Sequence, residues 1–191
     1  MANPDVLLAP LKLKCGKTIP NRIAKAAMTE GVADDLSRAT VAHKTLYTKW
    51  SDGCGLLITG NIMVDRRYME RPGNVAIAGP QDEMQRLRLR AFARAATQHG
   101  NHCWAQLSHA GRQSHKTIAS GGLGPSAVAF EAPGKDLGMK VDAPREITKE
   151  VRQAETMSAT PSVIAAFAIQ FGMVLPNSNR PSGLDIVVII Q

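Results

Sequence analysis

Cysteine is scarce: Cys15, Cys54 and Cys103 stand far apart, with no CxxC among them. That spacing excludes a disulfide framework and a zinc knuckle, and it suits a reducing compartment. The three thiols are expected as small apolar fillers. Aromatic side chains are also few, at 4% of 191 residues, so aliphatic and alanine side chains must fill the core of a chain that is 44% hydrophobic. No run approaches the roughly 18 apolar residues of a membrane span. The start, MANPDVLLAPLKLK, interrupts its apolar patch with Pro and Lys too soon for a secretory leader. A cytoplasmic protein with no membrane partner is expected.

Negative charge is the sign in short supply, with 16 acidic against 23 basic side chains and a formal net charge of +7. Such an excess suits nucleic acid, a membrane surface or a phosphorylated cofactor. Nucleic acid ranks last, because no aromatic residues interleave with the arginines and no binding motif is present. Arg86, Arg88, Arg90 and Arg94 are read as spread around one helix rather than sharing a face. A basic, solvated surface ranks first.

What is present alternates between two periods. LKLKCGKTI (residues 11–19) reads as a small hairpin around Gly16. Residues 22–28 then suggest a first buried strand. Thr40 is placed to cap a helix in which Ala42, Leu46, Tyr47 and Trp50 recur at helical spacing before Gly53 and Gly55. GLLITG (residues 55–60) is a strand buried on both faces. Met84, Leu87, Ala91, Ala95 and Ala96 line one face of a second helix that Gly100 stops, and HCWAQL (residues 102–107) is a third strand. This order implies parallel strands, as at the start of a TIM barrel or a doubly wound sheet. Residues 108–145 read as a long loop. Residues 144–148 read as a helix start capped by Thr148, with Val151 inside. IVVII (residues 186–190) reads as a final strand that needs neighbours on both sides.

Four stretches in order resemble the old yellow enzyme family of NADH:flavin oxidoreductases. They are NRI leading to AAMT (residues 21–29), GLLITGN (55–61), QLSHAGRQ (106–113) and GPSAV (124–128). The resemblance covers residues 1–152 and implies an α/β fold, the N-terminal half of a TIM (β/α)8 barrel. Residues 153–191 then form a divergent tail, with a fourth strand at its end. The implied cofactors are FMN and NAD(P)H: hydride passes from NAD(P)H to FMN and on to an activated alkene or another acceptor. In such a barrel the site lies at the C-terminal strand ends. By resemblance, Ala26, Ala27, Met28, Thr29, Gly60 and Gln106 map to flavin contacts. Small residues admit a flat ring close to the backbone. The Thr29 hydroxyl suits O4, where charge develops on reduction. Gln106 both donates and accepts, matching the N3/O2 edge. His109 is a weaker candidate for the substrate side and also suits a local turn. Ala26 and Ala27 equally suit plain strand positions, and Met28 suits core packing.

The chain departs from the family in two ways. Ala27 stands where the family has proline. Its last segment places Ile190 where the family has a substrate-holding His, and residues 154–182 show no resemblance. A truncated, misspliced or frame-shifted product is the economical expectation. The alternative is a non-catalytic remnant or interaction protein. A small-molecule substrate and self-association through open strand edges are the expected partners.

Overall fold

The computed structural model describes residues 5–114, 118, 121–129 and 143–148, with the backbone alone of 184–188. A short helix, α1 (Asp5–Leu8), precedes a hairpin of β1 (Leu11–Lys12) and β2 (Thr18–Ile19), in which Leu11 pairs with Ile19. Gly16 takes a φ of 86° at its turn, a conformation that favours glycine.

The main sheet is parallel. β3 (Ala24–Lys25), β4 (Leu56–Met63), β6 (His102–Ser108) and β9 (Leu184–Val188) lie side by side in that order, and β5 (Val75–Ala76) pairs with the end of β4. Helices α2 (Val41–Ser51) and α3 (Glu83–Thr97) connect the first three of these strands. The described strands form an open arc and not a closed barrel. A second pair, β7 (Leu123–Gly124) and β8 (Arg145–Glu146), is also parallel. Arg145–Glu146 is therefore strand, where the sequence suggested the start of a helix. Val151, Ile190, His115 and residues 154–182 lie outside the described residues.

The first strand is shorter and less buried than its sequence suggests. Ala24 is exposed and Lys25 is buried. Lys25 survives there because its ammonium donates to the carbonyls of Ala26 and Ile58, at 3.0 and 2.9 Å. It also sits 4.7 Å from the ring centroid of Trp50 and 5.3 Å from that of Tyr47. Burial pulls its pKa down, and the nearby charge of Glu30 opposes the shift. β4 is buried along most of its length, as a strand covered on both faces must be.

Each helix buries a stripe that matches its expected apolar face only in part: Tyr47, with Leu46 and Trp50 beside it, and Ala95 and Ala96 join the core as expected. α2 turns His43, Tyr47 and Ser51 inward, while Ala42 is exposed. α3 buries Gln85, Leu89, Phe92, Ala95 and Ala96, and leaves Met84 and Leu87 about half exposed, at 49% and 58%. Gln85 is fixed inward by a bond from its Nε2 to the carbonyl of Ala76, 3.0 Å away. Asp82 caps α3 by accepting from the Gln85 N–H. The four arginines do not share one face, as expected, although Arg86, Arg90 and Arg94 are all exposed at four-residue intervals. Arg88 instead reaches Asp34 at 2.5 Å. The core between helices and sheet joins Tyr47, Leu57, Ile62, Ile77, Leu89 and Phe92. Tyr47 and Phe92 meet edge to face at 4.5 Å.

Of the three thiols, only Cys103 is buried; Cys15 is exposed and so is not a filler. Burial and the charge of Glu30 push the Cys103 thiol up to about 12, partly offset by Lys25. It stays protonated and inert.

The inward stripe on α3 has a direct test. Leu89→Ala is expected to cost about 2–5 kcal/mol in chemical denaturation, because it empties a closed core position. Leu87→Ala is expected to change stability by less than about 0.5 kcal/mol. Equal losses at the two positions would reverse the assignment.

Candidate functional site

Lys25 pairs with Leu57 across β3 and β4, and Asn61 pairs with Gln106 across β4 and β6. Continuing the first register places Met28 beside Gly60. The segment 26–30, Gly60 and Gln106 therefore gather at the C-terminal side of the sheet. The ladder between β4 and β6 is irregular between Ile58 and Asn61. Such bulges turn side chains at functional rims.

Gly60 holds this corner together. A Cβ there would lie 2.4 Å from the carbonyl oxygen of Met28, 2.4 Å from Glu30 Oε2 and 2.8 Å from the Thr29 Cα. The missing side chain is thus filled by the protein's own segment 28–30. The Gly60 N–H donates to Glu30 Oε1 at 3.0 Å, and the same oxygen accepts from the Tyr47 hydroxyl at 2.5 Å. Burial, together with the negative charge of Glu30, pushes the Tyr47 phenol far up, so it remains a donor. One carboxylate oxygen therefore fastens the loop after β3 to β4 and to α2.

Above this clamp runs a second polar chain. Thr29 Oγ1 donates to Glu70 Oε2 at 2.9 Å, and Asn61 Nδ2 donates to the same oxygen at 2.7 Å. Gln106 Nε2 donates to Asn61 Oδ1, and the Gln106 backbone N–H donates to Thr59 Oγ1 at 3.0 Å. Thr29 and Gln106, chosen from sequence, are thus joined through Asn61 and Glu70. Glu70 also accepts from Asn74 Nδ2 at 3.4 Å and pairs with Arg71 at 3.1 Å. Burial alone would raise the Glu70 carboxyl. Hydrogen bonds from Asn61 and Thr29, the charge of Arg71 and a further bond from Asn74 outweigh it and hold the group below the usual Glu value.

The other expected residues fall around this chain. Ala26 is exposed, Ala27 is half-buried and Met28 is 56% exposed, so these three present a small-residue rim and not a core. His109 is engaged within its own loop, where its Nδ1 accepts from the Gly111 N–H at 3.0 Å and its ring lies 4.9 Å from that of Tyr68. His99 and His102 face different partners, Ser51 Oγ and the Thr18 carbonyl. Glu30 and Glu70 were missed from sequence. Each is a lone acid in a loop, and its partners come from separate elements: Gly60 and Tyr47 for Glu30, Thr29 and Asn61 for Glu70. The sole hint was Asn61, a polar residue extending an apolar strand.

The model of the NADH:flavin oxidoreductase / NADH oxidase family matches residues 6–160. The NADH-dependent flavin oxidoreductase iliE of Hypocrea jecorina (strain QM6a) is 31% identical over 169 residues, which is 78% of this chain but 42% of that protein. The flavin oxidoreductase iccE of Talaromyces variabilis is 28% identical over 134 residues, 69% of this chain and 32% of that protein. The crystal structure of TcOYE with pHBA superposes with a TM-score of 0.71 at 21% identity, covering 87% of this chain and 49% of that one. Morphinone reductase gives 0.69 at 21% identity, covering 84% and 45%. The chain spans less than half the length of these relatives.

Two outcomes are expected from the site's geometry. Gly60→Ala must displace backbone, and is expected to cost about 1–3 kcal/mol with faster hydrogen exchange at residues 28–30. Unchanged exchange there would show that the segment is held by something else. Glu70 has a depressed pKa in the folded protein, so its stabilisation is present above the unfolded value and is lost as pH falls through the folded one. The stability gap between wild type and Glu70→Gln, measured by urea unfolding, should therefore be widest above about pH 4.3 and close as the pH falls below it. A gap that widens on acidification would refute the assignment.

Proposed function

Because this chain belongs to the NADH:flavin oxidoreductase / NADH oxidase family, we propose that it is an FMN-dependent oxidoreductase of the old yellow enzyme type, with its flavin edge seated on the chain from Thr29 to Gln106. Bound flavin supplies hydride chemistry, taking hydride from NAD(P)H and passing it to an activated alkene or another small-molecule acceptor. The single observation that supports the reading is the joined set Thr29, Glu70, Asn61 and Gln106 at the C-terminal side of three parallel strands.

The residues present suit a flat, polar-edged ring. Ala26 and Ala27 leave room against the backbone, and Gln106 offers an amide to the N3/O2 edge. Gly60 acts one layer below, by holding Met28 and Thr29 in place. The Thr29 hydroxyl proton is given to Glu70, so donation to a ring oxygen would require that bond to be exchanged. His109 shapes the turn at Gly111 through its Nδ1, which favours its structural role over the substrate one. No described helix is long and apolar enough to cross a membrane; a cytoplasmic location goes with the proposed function. The runner-up, a non-catalytic remnant, draws on the open arc of strands, whose free edges would favour self-association.

Purified protein titrated with FMN is expected to perturb the visible flavin spectrum, with a dissociation constant above micromolar. Ring stacking and a few hydrogen bonds contribute only about 0.5–1.5 kcal/mol per bond, and in the family the phosphate is held by a later part of the barrel. Gln106→Ala is expected to weaken that binding about tenfold. An unperturbed spectrum at saturating FMN would overturn the function. Perturbation without NAD(P)H-dependent bleaching would favour the remnant. Sedimentation of the same sample is expected to show oligomers.

A further inference from the structure

A carboxylate can only accept hydrogen bonds, whereas each carboxamide has one accepting and one donating end. Glu70 Oε2 therefore requires Asn61 to present its Nδ2, at 2.7 Å. That turns Asn61 Oδ1 towards β6, and Gln106 must answer with its own Nε2. The Gln106 Oε1 is thereby directed to the next partner, and among the described residues nothing donates to it. On the other side, Glu70 takes the one hydroxyl proton of Thr29, leaving that oxygen's lone pairs outward.

We propose that Glu70 is a positioning residue that sets the hydrogen-bond polarity of this site, so that Gln106 offers an acceptor to a ligand N–H. This role rests on the flavin reading given above, because the ligand it selects is a heterocycle carrying an imide N–H. It goes beyond holding the fold. Glu70 sits in the stretch after β4, is largely shielded from solvent, bonds Thr29 and Asn61 directly, and reaches Gln106 through Asn61 alone. Its effect on the Gln106 acceptor must pass through Asn61. Arg71 pairs with the outer oxygen, leaving the inner one to direct Thr29 and Asn61, with Asn74 a third and longer contact. A polar chain of this kind has a single direction as long as its anchor is ionised.

The test uses the full chain and two probes, lumiflavin and N3-methyl-lumiflavin, with quenching of flavin fluorescence as the readout. Wild type is expected to favour lumiflavin about tenfold, the worth of one well-made hydrogen bond at a shielded site. Glu70→Ala and Asn61→Leu should each bring the preference to within about twofold, while Glu70→Asp should retain part of it. Lost stability alone would weaken both probes equally and leave their ratio intact, so an unchanged ratio in both variants would overturn the proposal while sparing the flavin site. Absence of binding by wild type to either probe would overturn the flavin reading, and this inference with it. A circular dichroism spectrum of each variant separates misfolding from lost preference. If both substitutions unfold the chain, the Glu70→Gln variant decides by the same ratio, since its amide can reverse the chain's direction.

Discussion

The geometry of this half-sheet depends on Glu30. Its Oε1 receives the Gly60 N–H and the Tyr47 hydroxyl together, at the one place where the β4 ladder is irregular. A strand as short as β3 has too few ladder bonds to fix the segment 26–30 on its own. The clamp supplies that anchoring, and the absent side chain of Gly60 lets the segment close on it. Each buried donor thereby gains an acceptor, and the acid itself is satisfied on one oxygen. The segment 28–30, including Thr29, takes its position at the rim from that contact.

The two carboxylates divide the work by layer. Glu30 faces the helix side and joins strand, loop and α2 into one body. Glu70 faces the rim and arranges polar groups without bearing on the core. The chemistry of the rim can therefore be altered at Glu70 while the packing around Tyr47, Leu57 and Phe92 is left alone. Such separation lets the polarity of the rim change without refolding.

Much of the architecture was legible because its causes are local. The hairpin turn at Gly16, the apolar start of β4 and the QLSHAGRQ stretch each carry their signal within a few residues. The helix faces were legible only in part, for a physical reason. RLRLR in α3 puts Leu87 and Leu89 on different sides, and the apolar count cannot choose between them. The choice is made by Gln85, a polar residue held inward by the Ala76 carbonyl. Lys25 misled similarly, since its aliphatic stem is buried and its charge is absorbed by two carbonyls and two rings. Glu30 and Glu70 could not be found from sequence, because a lone acid in a loop looks solvated until its distant donors are brought to it.

The order of pairing has a consequence for synthesis. Ala24 pairs with Leu56 and Leu56 with His102, modest separations that each enclose one helix. Cys103, by contrast, pairs with Leu184, a far longer loop whose closure costs more entropy and comes later. A chain emerging from the ribosome can thus complete its polar rim, from Thr29 to Gln106, before the partner of β6 exists. During that interval the outer edge of β6 is a row of unpaired peptide groups flanked by Trp104 and Leu107. Shielding of that edge during synthesis therefore bears on the folding of this protein as well as its final stability.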